Sequence, residues 1–448
     1  MTAVTVLTPT GTLGYGFGSE ALRRGMALGP DVIAVDAGST DPGPHYLGAG
    51  KPLVSRYSAK KELTALIRES RKAGIPLVVG SAGGAGAQAH VEWTLDIVRE
   101  IARDLDLHFR LAAIYADVPK ERVRQALVRN EVRDFEAGFE VTSETVNDST
   151  VIVAQMGQEP IIAALDQGAD VVIAGRACDD SAIAAYSIAH GADPASAIHM
   201  GKILECGAFS AEPFAMDVMV GTVDDDGFVL EPGSANRRAS VASVAAHSLY
   251  ERENPFDQAG PGHNIRMSDC SFEQLNHRQV RVRGAEYTET SDYWVKLEGA
   301  RSIGYRTICI AGVRCPTMIA RIDDILEEVR RETLEYFEDP ELQIAVHVYG
   351  RDGVMGPLEP ERMIQSHEVG LVIEVVAPSQ DLAQGACHHA SGSLLHHHYE
   401  GQFNTSGNIA FLYSPSDLDC GEAYEFSIYH LMKLDSATEL FPIHIEEL

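Results

Sequence analysis

Long apolar runs are missing from this chain. No stretch of about 18 apolar residues occurs, which is what a membrane-spanning helix requires, so none is expected. The opening MTAVTVLTPTGTLG has no basic leader region. It reads as a first strand rather than a signal peptide. Basic residues are scarce: 36 Lys and Arg against 65 Asp and Glu leave a net charge of −29. That balance argues against a basic face for nucleic acid and against a polybasic membrane anchor. It still allows an anionic small molecule, which needs only one or two local cations. Paired CxxC cysteines are absent. Seven cysteines are scattered along the chain, an odd count that fits reduced, cytoplasmic thiols better than a disulfide framework. HExxH, GxSxG and Walker A motifs are also missing, as is a well-spaced GxGxxG. With them go the usual signatures of a zinc protease, an α/β-hydrolase, a phosphate loop and a dinucleotide fold. No fixed-period repeat and no low-complexity tail is found.

What is present is a chain of 448 residues, 45% apolar, long enough for two domains. Near-continuous apolar runs at 4–9, 32–38, 75–83, 109–118, 151–157 and 171–177 alternate with helical patterns near 19–28, 59–73, 89–106, 119–130 and 159–168. Strands buried on both faces read this way, as in a parallel sheet. The expectation is an α/β protein. Residues 1–215 would form a Rossmann-like parallel sheet that binds ligand, and 216–448 a smaller α+β domain that completes the site. The second half supports that change of character. Short runs QVRVRGA, YWVKLEGA and YRTICIAGV precede a long amphipathic helix over about 317–337, then IAVHVYG, GLVIEVVAP and a helix through 379–398.

The polar and glycine-rich stretches follow strand ends, where open α/β sheets bind ligands. AVDAGSTDPGP places Asp36, Ser39, Thr40 and Asp41 after the second strand. Three readings compete there. The loop is a phosphate cradle, a proton-transfer or metal site with Asp36 or Asp41 acting and Ser39 and Thr40 orienting a carboxylate, or a Pro/Gly turn with Asp as a local cap. GSAGGAGAQAH, with Gly83 and Gly84, could bring backbone N–H groups to an anion; tight strand–helix packing explains it as well. AGRACDDSA sets Arg176, a planar fork for a carboxylate or phosphate, beside Asp179, which could otherwise cap the next helix. GQEPI supplies Glu159 before Pro160, and HMGKILECGAFSAEP supplies Glu205 beside Cys206. PGSANRRASV contributes Ser234, Asn236, Arg237 and Arg238 before a helix, either an anion site or a solvated charge pair. His388, His389, His396, His397 and His398 cluster without metal-ligand spacing.

The order VNDSTVIVAQMGQEPIIAALDQGADVVIAGRACDDSAIA, MGKILECGA, VLEPGS, VASVAAHSLYE and GNIAFLYSPSDL resembles the acyclic terpene utilisation (AtuA-like) family over most of the chain. Its family-like positions are Glu159, Arg176, Asp179, Glu205, Gly207, Pro232 and Gly233. The stretch SANRR and the loop VDAGSTDPGPHYLG depart from the family pattern. The resemblance implies a small partner subunit and a role in catabolism.

Together these readings predict a cytoplasmic, oligomeric hydratase or dehydratase acting on a small unsaturated or hydroxy carboxylic acid or its CoA thioester. Arg176, with Arg237 or Arg238, would hold the carboxylate, and Asp36, Asp41 or Glu205 would move the proton. A divalent metal held by Asp36 and its neighbours is an open option; no other cofactor is expected. The rival readings are an ATP-dependent kinase or ligase built on DAGST and a non-catalytic subunit of a catabolic complex.

Overall fold

The structure, a computed structural model, describes residues 3–135, 137–251, 254–361 and 363–448. The chain divides into two compact units: residues 1–301 with 426–448, and residues 302–425. The stretch 216–301, expected in the second domain, therefore lies in the first unit.

In chain order the first unit opens with β1 (Val4–Thr8), α1 (Ser19–Met26), β2 (Val32–Asp36), α2 (Pro44–Ala49), α3 (Arg56–Ala73), β3 (Leu77–Gly80), α4 (Gln88–Leu105), β4 (Arg110–Ile114), α5 (Lys120–Val128), β5 (Val132–Asp134), α6 (Ser143–Asp148), β6 (Val151–Ala154), α7 (Glu159–Asp166), β7 (Val171–Ala174), α8 (Ser181–Ala189), α9 (Pro194–Leu204), β8 (Ala211–Glu212) and β9 (Met219–Asp224), and goes on through further, mostly short strands to residue 301. Five strands are parallel, in the order β1-β2-β3-β7-β4. The protein is thus of mixed α/β class, but its large sheet is mixed rather than all-parallel. β9 joins β1 antiparallel, and the strand Ile443–Glu447 joins β4 antiparallel at the other edge.

Alternate side chains of each parallel strand point to opposite faces, and both faces are apolar here. Ile33, Val35, Val79 and Ile173 pack with Leu63, Leu66, Val91 and Leu95 of α3 and α4. Val32, Ala34, Val78 and Val172 pack with Ile161, Ile183, Ile198 and Ile203 of α7, α8 and α9. Helices on both faces explain why the strands read as unbroken apolar runs. α3 starts where the Ser55 hydroxyl accepts from the amide of Ser58, and it stops at Gly74 in the left-handed region.

Three local expectations change. β6 stands outside the parallel set and pairs antiparallel with Leu297–Ala300. An apolar run announces a buried strand but not its partner. YWVKLEGA and YRTICIAGV are one continuous strand, Tyr293–Val313. PHYLGA, expected as loop, forms α2 with Pro44 in its first turn, where a missing N–H does no harm.

The second unit contains the later part of that long strand, paired antiparallel with Val369–Ala377, which pairs in turn with Gln343–Tyr349. Helices Ile322–Phe337 and Gln380–His396 share its apolar core with the sheet. It is an α+β arrangement.

Candidate functional site

A cleft of about 280 Å³ in the first unit is lined by Asp36, Ser39, Asp41, Asp179, Glu205, Cys206 and Glu251, with Tyr15, Phe209, Met216 and Tyr250 as its apolar walls. Its polar side chains come from the carboxyl ends of β2 and β7, from the end of α9 and, for Glu251, from just beyond the helix Val241–Ser248. Asp36 is the last residue of β2, Asp179 follows β7, and Glu205 follows α9. This is the strand edge at which open α/β sheets present ligand sites.

Three carboxylates converge on one ammonium. Lys202 Nζ lies 2.6 Å from Glu205 Oε1, 2.9 Å from Asp179 Oδ2 and 3.2 Å from Glu251 Oε2. Oxygens of these three residues lie within 4.8 Å of one another, a grouping that could take a divalent ion. Lys202 already fills that role, because its three N–H donors match the three acceptors.

Proton affinities in the cleft are pushed apart. Burial, then the neighbouring charge of Asp179, raises the Glu205 carboxyl well above its usual range. The same two causes raise Asp36. Burial opposes ionisation of Asp179 too, but Lys202 and then Arg176 outweigh it and hold that carboxyl well below its usual range. Asp179 is thus shifted toward its ionised form, while Glu205 and Asp36 are shifted toward their protonated forms. Oε2 of Glu205 and Oδ1 of Asp36 are both buried without a hydrogen-bond partner, and both residues border the cleft. Burial also pushes up the Cys206 thiol, so it is not a thiolate nucleophile.

Arg176 is not in the cleft wall. Its side chain is buried, with Nε 2.7 Å from Glu298 Oε2 and Nη1 donating to Ser81 Oγ at 3.2 Å and to the carbonyl of Ala177 at 2.9 Å. Glu298 also accepts from Thr40 Oγ1 at 2.9 Å and pairs with Lys296 at 2.8 Å. Burial opposes its ionisation, yet Arg176 and Lys296 bring it down to about 2. Arg176 thus braces the site from behind, with Nη1 3.9 Å from Asp179 Oδ1, instead of holding a carboxylate in the cleft.

The other expected residues divide similarly. Ser39 and Asp41 border the cleft and bond to each other, Oγ to Oδ2 at 2.7 Å. Thr40 is turned onto Glu298. Gly83 and Gly84 serve close packing, since a Cβ on Gly83 would sit 2.8 Å from that of His90 and one on Gly84 2.7 Å from that of Leu53. The amide of Gly84 is already bonded to Ser81. Glu159 accepts from Tyr293 Oη at 2.7 Å, away from the cleft lining. Ser234 donates to Asp217, Arg237 is ion-paired with the same carboxylate at 3.5 Å, and Arg238 pairs with Glu212. Asn236, Arg237 and Arg238 border a separate shallow depression. The second unit's histidines do not converge. His388 bonds Asp417, His389 bonds Thr333, His397 bonds Glu328 and His398 bonds Gln402.

Sequence reasoning missed Lys202, Glu251, Lys296 and Glu298. Lys202 stands three residues before Glu205, on the same helix face. Lys296 and Glu298 alternate on one face of an otherwise apolar strand. Those spacings were the available signals.

The family described as "Acyclic terpene utilisation family protein AtuA" matches residues 56–411. No curated protein and no solved structure matches the chain.

Proposed function

This chain belongs to the acyclic terpene utilisation family AtuA, and from that premise we propose that its cleft is the active site of a hydro-lyase. The substrate class is a small hydroxy or unsaturated carboxylic acid or its thioester. The observation that carries the reading is the convergence of Glu205 and Asp179 on Lys202 Nζ, at 2.6 and 2.9 Å, with the proton affinity of the first pushed up and that of the second held down. Paired groups with opposed proton affinities mark acid and base roles.

In the dehydration direction Asp179 takes the proton from the carbon next to the carbonyl. Glu205 gives its proton to the departing hydroxyl, which leaves as water. One C–H bond and one C–O bond break and a C=C bond forms; hydration runs the same steps backwards. Asp36, shifted toward its protonated form by burial and with Oδ1 unpartnered, donates to the carbonyl oxygen as enolate-like charge develops there. Lys202 keeps Asp179 ionised in a poorly solvated place.

The test is turnover of a panel of 3-hydroxy and 2-enoyl acids and thioesters in deuterated water, with Glu205→Gln and Asp179→Asn. Loss of a general acid is expected to slow dehydration by about 10²–10⁴-fold. Glu205→Gln should retain exchange of the carbon-bound proton, and Asp179→Asn should lose both activities. Full dehydration by Glu205→Gln would overturn the assignment.

A further inference from the structure

The cleft has an acid, a base and a hydrogen-bond donor, but its lining holds no arginine or lysine among the described residues. Lys202, just behind it, is committed to three carboxylates. A free carboxylate entering here would meet Asp179, Glu251 and Asp41 with no spare cation to balance it.

Cations stand next door. A second groove of about 430 Å³ shares Tyr15 with the cleft. Lys61 and Arg68 border it; both are exposed, and neither makes an ion pair or side-chain hydrogen bond among the described residues. Arg23 is there too, paired with Glu20. Tyr57 offers a ring that is 79% exposed at the same groove. Two carboxylates also border it. Glu62 is buried and turned onto the amide of Gly14 at 2.6 Å. Glu69 is half-buried. In a chain of net charge −29, Lys61 and Arg68, balanced at the groove only by Glu62 and Glu69, stand beside exposed aromatic rings where the groove and the cleft share Tyr15.

We infer that this groove binds the phosphorylated, base-bearing arm of a coenzyme A thioester, whose acyl end reaches the cleft past Tyr15. The phosphates meet Lys61 and Arg68, and the adenine ring stacks on Tyr57. The acyl carbonyl arrives uncharged, which removes the need for a cation in the cleft. The inference rests on the hydro-lyase reading for the acyl end, while the groove itself can be tested by binding alone.

Calorimetry would compare acetyl-CoA, the matching pantetheine thioester and ADP on wild type, Lys61→Gln/Arg68→Gln and Lys61→Glu/Arg68→Glu. Circular dichroism and melting would check that the exposed substitutions leave the fold intact. Acetyl-CoA should bind wild type at least about tenfold more tightly than either double variant, most weakly to the glutamate pair, and the advantage should shrink with salt. The pantetheine thioester should not distinguish the three proteins. ADP competing with acetyl-CoA, at lower affinity, supports a carrier-arm site. ADP binding without competition makes the groove a separate nucleotide site and overturns the inference. So does equal acetyl-CoA affinity in all three proteins, or no binding of acetyl-CoA to wild type. Competitive binding without turnover of any hydroxyacyl or enoyl thioester would sink the lyase reading and leave the groove assignment standing.

Discussion

Glu298 Oε2 lies 2.7 Å from Arg176 Nε, and neither side chain reaches solvent. Lys296 adds a second cation at 2.8 Å from Oε1, so one carboxylate stands between two cations and offsets half of their charge. Removing it leaves two poorly solvated charges facing each other. Glu298→Gln is expected to lower stability by about 3–5 kcal/mol, read as a shift in the urea midpoint at unchanged m-value. Arg176→Met combined with Glu298→Gln should lose less than the sum of the single changes. Additive losses would mean that the pair is not coupled as described.

Lys202 occupies the centre of a carboxylate triangle. Wild-type protein is therefore expected to take up no stoichiometric Mn²⁺ or Ca²⁺ there, whereas Lys202→Ala should gain a site by freeing Asp179, Glu205 and Glu251. Calorimetry, and a rise of melting temperature with metal in the variant alone, would register the gain. A metal bound by wild type that is lost in Asp179→Asn would contradict the assignment of Lys202 as the resident cation.

Asp117 provides a pH test outside the proposed chemistry. Burial raises its carboxyl to about 6, although the amide of Gln88 donates to it at 2.6 Å. The folded value lies above the unfolded value of about 3.9. The group's favourable contribution is thus complete below about pH 4 and is lost as the pH rises through about 6. Relative to wild type, Asp117→Asn should be more stable at pH 7 than at pH 4. Parallel melting profiles across that window would refute this.

Gly86 is the tightest backbone contact behind the cleft. It has φ +68°, and a Cβ there would sit 2.2 Å from the amide nitrogen of Arg176. Its carbonyl also accepts from that amide at 3.0 Å. Gly86→Ala has both a conformational and a steric penalty. A loss of about 3 kcal/mol or more is expected. A variant within about 0.5 kcal/mol of wild type would mean that the two loops separate easily.

Much of the first unit was legible because its strands are apolar on both faces and its helices are punctuated by caps and glycines. The six strands and five helices that the periodicity marks up to residue 177 are all present, whereas the short elements β5, α2 and α6 carry too few residues to show a period. Asp36 and Asp179 stand out in the sequence because they lie at strand ends, and Glu205 because it neighbours Cys206; the structure brings all three to one cleft. Arg176 was read as a substrate anchor because its partner, Glu298, is 122 residues away on a strand whose pairing no local pattern announces. Arg237 is likewise occupied, ion-paired with Asp217 at 3.5 Å, a partner that the stretch PGSANRRASV does not contain. Proximity in sequence revealed who could do chemistry. It did not reveal which charges were already neutralised.

The strand Ile443–Glu447 covers the open edge of β4, yet the whole second unit lies between them in the chain. During synthesis, then, β4 leaves the ribosome long before its neighbour exists. Its exposed edge must remain unpaired, or be shielded by a chaperone, while the intervening unit is made. The first unit gains this outermost strand only after the second unit has been made, so a chain stalled before residues 443–447 would present β4 as an unpaired, sticky β edge.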